Sequence, residues 1–132
     1  NFYTDSLEDI FNSRTFCLFE DIVKIRKLGL AKGGSLKNAL VVDNNRVLNE
    51  EGLRNKKEFV NHKILDLAGD FLLSGHRILG KIECHQGGHE LSNKFLRKLM
   101  CNTSSYEVLE LKDVLVSKKV NVEESARLAV NA

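Results

Sequence analysis

The segment EFVNHKILDLAGDFLL, residues 58–73, reads as a helix and carries His62, Asp66 and Asp70 at successive steps of four. Residues four apart on a helix are neighbours on its surface, so an imidazole nitrogen and a carboxylate oxygen would stand side by side. Such a pair suits Zn²⁺, which accepts N and O donors at about 2.0–2.2 Å. The same spacing also fits a solvated helix face. A catalytic zinc normally takes three protein ligands, and nothing adjacent in the chain supplies a third. With His62 at zero and about 100° per residue, Asp66 falls near 40° and Asp70 near 80°, while Val60, Ile64, Leu67 and Phe71 gather between about 140° and 200°. The apolar group is the expected core face, and the polar stripe turns away from it, with Lys63 at its border.

A second polar cluster is CHQGGHEL, residues 84–91. Gly87 and Gly88 allow a sharp turn and a close backbone approach. His89 then opens a helix. A carboxylate beside an imidazole favours its protonated form, so an Asp70–His89 contact would equip His89 as a general acid. The plainer alternative is a helix-terminal histidine with no chemical task. His76 and His85 read as structural or exposed.

These side chains must be positioned by the elements around them. TDSLEDIFN (4–12) reads as a short helix capped by Thr4 or Asp5. FEDIVKIRKLG (19–29) is a second helix, with cations in its last turns and Gly29 as its stop. LAKGGS (30–35) is a glycine turn. LKNALVVD (36–43) reads as a strand, and RVLN (46–49) as a short return strand. The long helix spans about 55–73, ending before Gly75. RILGKIEC (77–84) reads as a strand, HELSNKFLRKLM (89–100) as a helix, YEVLELKDV (106–114) as a strand and VEESARLAV (122–130) as a last helix. Strands interleaved with helices predict an α+β chain, a two-layer sheet-and-helix sandwich.

The chain has 132 residues, 42% hydrophobic and 29% charged, which describes one globular domain. A formal net charge of +2 gives no argument for nucleic acid or an anionic membrane. No apolar run approaches the roughly 20 residues of a transmembrane segment, and no secretion signal opens the chain. Cys17, Cys84 and Cys101 are odd in number and widely spaced, which suits buried or half-buried free thiols in a reducing, cytoplasmic setting. The first residue is Asn1 rather than Met, so a processed chain or a fragment is expected.

The stretches EEGLRNKKEFVNHKILDLAGDFLLSGHRILGKI (50–82) and GGHELSNKFL (87–96) closely resemble the C-terminal domain of the UDP-3-O-acyl-N-acetylglucosamine deacetylases. These are zinc amidases at the committed step of lipid A synthesis in Gram-negative bacteria. Residues 14–54 extend the likeness upstream without a gap, and it becomes loose after about Met100. The resemblance implies that His62 and Asp66 are zinc ligands and that Lys63 reaches the phosphates of the UDP group. It implies that Asp70 and His89 are a carboxylate–imidazole pair whose histidine protonates the leaving amine. Thr15 would face the oxyanion, and Phe16 would stand beside the sugar. Residues 29–49 would form a β-α-β insert with a short helix starting near Ser35. Ile22, Ala31, Ser35, Ala39 and Val41 would line a passage for the acyl chain.

The departures from the family pattern also carry information. The family's third zinc ligand, a histidine, and its general base, a glutamate, belong to an N-terminal half with no counterpart in these residues. The first strands of the C-terminal domain are missing too. Gln86 stands where many members have Lys or Arg. The expectation is therefore an incomplete C-terminal domain. It would hydrolyse the N-acetyl group of UDP-3-O-acyl-N-acetylglucosamine only when completed by its N-terminal half. The rival is a non-catalytic fragment that acts only by association with that half.

Overall fold

The computed structural model describes residues 6–110. The chain divides into two compact units, the first ending at Leu65 and the second beginning at Asp66. Helices and a small sheet make it an α+β structure, as the alternation of patterns predicts.

The first unit opens with α1, Glu8–Phe11. Leu7 occupies the N-cap position with no side-chain hydrogen bond; the expected caps Thr4 and Asp5 lie outside the described residues. Next come β1, Thr15–Leu18, α2, Phe19–Lys27, β2, Ala39–Asp43, and β3, Arg46–Val47. β1 and β2 pair in parallel, with Thr15 opposite Ala39 and Cys17 opposite Val41. β3 returns antiparallel on the far side of β2. The order β1-β2-β3 makes β2 the central strand. Successive residues of a strand face opposite sides of its sheet. Leu40 and Val41 are both buried, so both faces of β2 are covered at this point.

The β-α-β unit therefore runs from Thr15 to Asp43, with α2 as its crossover. This corrects the placement at 29–49. No helix starts near Ser35; residues 36–38 are a turn, and 39–47 form a hairpin. The Asn38 and Ala39 amides close the turn on the Ser35 carbonyl, at 3.1 and 2.9 Å, and side chains brace it. Asn38 Oδ1 accepts from the Ser35 amide at 2.8 Å, and Asn38 Nδ2 donates to the Gly33 carbonyl at 2.9 Å. Such local bonds from Asn and Ser compete with helix formation. Asn49, almost fully buried, then ties turn to sheet. Its Nδ2 donates to the Leu36 and Ala39 carbonyls at 2.7 and 2.9 Å, and its Oδ1 accepts from the Val41 amide at 3.0 Å.

The end of α2 follows its sequence signal closely. Gly29 has φ +70°, its amide donates to the Arg26 carbonyl, and the Leu30 amide reaches back to the Ile25 carbonyl. This pair of bonds closes a helix through a left-handed residue. A Cβ at Gly29 would meet nothing closer than 3.9 Å, so the obstacle to a side chain is the backbone conformation. Gly29→Ala is expected to cost about 1 kcal/mol. Urea unfolding should show a lower midpoint with an unchanged slope.

α3 spans Glu58–Phe71 and continues as a 3-10 turn, Leu72–Ser74, stopped by Gly75 at φ +77°. Its core face is narrower than the apolar pattern predicts. Phe71 is buried, but Val60 is 59% exposed. The buried positions of its first turns are the polar Glu58 and Asn61.

In the second unit, α4 spans His89–Cys101. Its Phe95 stacks on Phe71 with ring centroids 5.6 Å apart and planes inclined by 15°. Leu96 is buried. Residues 77–84 are not a strand, and neither are 106–110. A strand exists only as part of a ladder that satisfies its backbone groups, and among the described residues neither segment finds a partner. The remainder of the expected strand 106–114 and the expected helix 122–130 lie outside the described residues. The cysteines form no disulfide, but Cys84 and Cys101 are exposed rather than buried or half-buried.

Candidate active site

In the first unit, the junction of β1 with α3 gathers several of the singled-out residues. Thr15 and Phe16 open β1, and His62 and Lys63 lie on α3. Thr15 is exposed. The Phe16 ring meets Phe59 edge-on, with centroids 5.0 Å apart, and His62 at 6.1 Å. The Lys63 ammonium sits 5.4 Å from the centre of the Phe16 ring, within cation–π range. His62 is half-buried, and its Nδ1 lies 3.2 Å from the Ser13 carbonyl oxygen. A carbonyl only accepts, so Nδ1 carries the proton and the lone pair of the neutral ring is on Nε2. A neutral imidazole nitrogen with this second-nitrogen anchor is the form that binds metals.

Below this junction lies a network that the sequence reading missed. Arg14 and Glu58 are both buried, and the Arg14 Nε donates to Glu58 Oε1 at 2.8 Å. Arg14 Nη2 donates to Glu58 Oε2 at 3.2 Å and to the Gly52 carbonyl at 2.7 Å. Nη1 pairs with the exposed Glu51. The Glu58 carboxylate also accepts from the backbone amides of Arg14, at 3.1 Å, and Arg54, at 2.6 Å. Burial raises the cost of its charge, but the hydrogen bonds from Arg14 and the two amides outweigh burial and hold its pKa down to about 2. An acid in the first turn of a helix ordinarily reads as a dipole partner. Its burial and its pairing across 44 residues leave no mark in the local pattern.

In the second unit, Asp66 and Asp70 follow on α3, half-buried, and His89 opens α4. His89 Nδ1 approaches both Asp70 oxygens, at 2.9 and 3.0 Å. The His89 side chain is 70% exposed and that of Asp70 only 18%, so the carboxylate holds a ring that faces outward. The left-handed conformation in the preceding turn falls on Gln86, at φ +52°, whereas Gly88 is extended. Gly87 is there for space: a Cβ would come within 2.5 Å of Cys84 Sγ. His76 and His85 are exposed. Among the described residues, no group of three or more His, Cys, Asp or Glu side chains could hold a metal ion.

The residues expected along an acyl passage all lie in the first unit. Ile22 and Ala39 are half-buried, Ala31 and Ser35 are exposed, and Val41 is packed inside the sheet. Ala31 adopts φ +51°, unusual for a residue with a Cβ.

An imidazole held by a carboxylate, as in the His89–Asp70 pair, can serve acid–base chemistry. The family model for UDP-3-O-acyl N-acetylglycosamine deacetylase matches residues 3–101, and the chain belongs to that family. A UDP-3-O-acyl-N-acetylglucosamine deacetylase of Mannheimia succiniciproducens is 47% identical over 107 residues, which cover 81% of this chain and 35% of that protein. The protein of the same name in Pseudomonas entomophila is 46% identical over 110 residues, covering 83% of this chain and 36% of its own length. One in Legionella pneumophila is 48% identical over 104 residues, covering 79% and 34%. The chain thus spans about a third of the length of the curated relatives it matches.

Proposed function

We propose that this chain is the part of a UDP-3-O-acyl-N-acetylglucosamine deacetylase that supplies two zinc donors, a general acid and the substrate-facing polar groups. The hydrolysis it serves removes the N-acetyl group of the UDP-sugar in lipid A biosynthesis. The observation that carries the reading is the His89–Asp70 hydrogen-bonded pair, formed by residues for which the family resemblance implies an acid and its carboxylate. His62 and Asp66, one turn apart on α3, are the donors that would hold zinc. The Ser13-anchored tautomer of His62 fits that task. Bound zinc would polarise the amide carbonyl and lower the pKa of the attacking water.

The chain's own residues do the rest. Nδ1 of His89 is engaged by Asp70, so the proton for the departing sugar amine leaves from Nε2. The outward-facing ring makes that nitrogen accessible. The Thr15 hydroxyl would donate to the oxyanion, a contact worth most in a water-excluded site. Lys63 would leave its stacking on Phe16 for the substrate diphosphate, exchanging a weak cation–π contact for a charge-assisted one. Ile22, Ala31, Ser35 and Ala39, with Val41 behind them, would border the acyl chain. The third zinc ligand and the water-activating base would come from the two thirds of the relatives that this chain does not match.

The test is His89→Ala in the enzyme completed by its N-terminal half. Loss of a positioned acid should lower kcat by about 10²–10⁴-fold, with KM changed little. A kcat within a few-fold of the parent would remove His89 from the acid role.

A second reading, that the chain acts only by associating with its other part, is favoured by a separate observation. Phe19, Val23, Leu28 and Leu30 stand between 54% and 73% exposed along and just after α2. A run of large exposed apolar side chains marks a surface that something covers. The two readings agree that the remainder of the enzyme is required.

A further inference from the structure

Glu58 of the buried Arg14–Glu58 pair lies one turn from His62 on α3, and one peptide unit hydrogen-bonds to both. The Ser13–Arg14 peptide sends its N–H to Glu58 Oε1 at 3.1 Å and its carbonyl to His62 Nδ1 at 3.2 Å. A trans peptide is rigid and planar, with N–H and C=O pointing in opposite directions. Glu58 and His62 are four residues apart on α3, a rise of about 6 Å. One flat unit therefore bridges successive turns of the helix, and fixing one end orients the other.

Glu58 fixes that end firmly. The same carboxylate grips the Arg14 guanidinium at 2.8 and 3.2 Å, so backbone and side chain of one residue are held together. The Arg54 amide holds Glu58 from another direction, and the Gly52 carbonyl holds the guanidinium. The pair is inside the protein, with 4% exposure for Arg14 and none for Glu58. Burying two charges is costly, and a well-packed apolar pair of the same volume often serves stability as well or better. The geometry gives this pair a task that an apolar pair could not perform.

We infer that Arg14 and Glu58 are positioning residues for His62: they aim the Ser13 carbonyl at Nδ1 and so commit the neutral ring to the tautomer with its lone pair on Nε2. Metal-ligating histidines are oriented in this way by acceptors on their second nitrogen, and loss of such partners typically costs about 10–100-fold in metal affinity. The inference deepens the proposed function, because it rests on His62 being a zinc donor. The Phe16 ring lies edge-on to His62, with centroids 6.1 Å apart.

The experiment separates the two layers. In the full chain without metal, long-range ¹H–¹⁵N correlation at neutral pH reads which nitrogen of His62 bears the proton. The expected result is a dominant Nδ1–H tautomer. In the Arg14→Met, Glu58→Leu variant, which removes the acceptor of the Arg14 amide, the signal should move to a mixture of tautomers, and zinc affinity by competition with a chelator should fall about 10–100-fold. Glu51→Gln touches the same guanidinium but not the peptide, and it should leave the tautomer unchanged. A merely structural charge network would respond in neither tautomer experiment, or in both alike, and either result would overturn the inference. So would a dominant Nε2–H form in the parent chain, a reading that stands even if the double variant fails to fold. A correct tautomer combined with no zinc binding by the completed enzyme would instead overturn the proposed function and leave the positioning intact.

Discussion

Alone, the 132-residue chain is expected to release no measurable acetate from UDP-3-O-acyl-N-acetylglucosamine, even with zinc added. The expectation follows from what the described residues lack. Among them, no group of three or more His, Cys, Asp or Glu side chains could hold a metal ion. Asp70 and Glu58 are not left for a water-activating role, because Asp70 holds His89 and Glu58 holds Arg14. A missing ligand weakens metal binding by more than the roughly 10–100-fold of a lost outer partner. A missing base removes about 10²–10⁴-fold in rate. The two deficits lie in one site and do not simply add. Supplying the family's N-terminal half, in fusion or in trans, should restore turnover. Turnover by the purified chain near that of the completed enzyme, abolished by His62→Ala, would show that the ligand and base are already present, and the proposal would fall.

The second large effect is on stability. Glu58→Ala is expected to destabilise the first unit by about 3–5 kcal/mol, because it leaves the buried Arg14 charge without its partner. That is a large part of the roughly 5–15 kcal/mol that folded domains possess. Far-UV circular dichroism at neutral pH should show loss of helix, or a sharply lower urea midpoint. Replacing both partners, Arg14→Met with Glu58→Leu, should recover most of the loss, since removing both charges removes the desolvation cost too. If the double variant is as unstable as the single one, the cost lies in lost packing rather than in the orphaned charge.

The same carboxylate makes stability depend on pH in a defined window. Its folded pKa, about 2, lies below the ordinary 4.5. The pair's contribution is therefore complete above about pH 4.5 and is lost as pH falls toward 2. At about 1.4 kcal/mol per unit the difference is about 3 kcal/mol. Urea unfolding between pH 6 and pH 2.5 should show the decline in the parent chain and a much flatter curve in the Arg14→Met, Glu58→Leu variant. A parent curve flat through this range would exclude a depressed Glu58.

The local physics of this chain is written in short stretches of its sequence. Gly29 after a cationic helix end forces the helix stop, because the closing residue must adopt a left-handed backbone. The pattern of residues 89–100 predicts α4, and the steps of four place His62, Asp66 and Asp70 along α3. Even the His89–Asp70 contact could be anticipated as a pairing of residue types. The family itself was legible, because the His-Lys-x-x-Asp-x-x-x-Asp block and the Gly-Gly-His turn are long enough to be specific.

What required the tertiary structure was every feature that depends on a distant partner. The segment 77–84 has a strand's composition but finds no ladder among the described residues, and composition alone cannot satisfy a backbone. The crossover helix of the β-α-β unit proved to be α2, because strand pairing, not the glycine turn, decides where such a unit begins. Val60 has the periodicity of a core residue yet is exposed, while the charged Glu58 on the same helix is buried. Periodicity records which side of a helix is apolar. It does not record that an arginine 44 residues earlier makes a carboxylate the better occupant of the interior. The tautomer of His62 depends on the same fact, since the carbonyl that selects it is held in place by that ion pair.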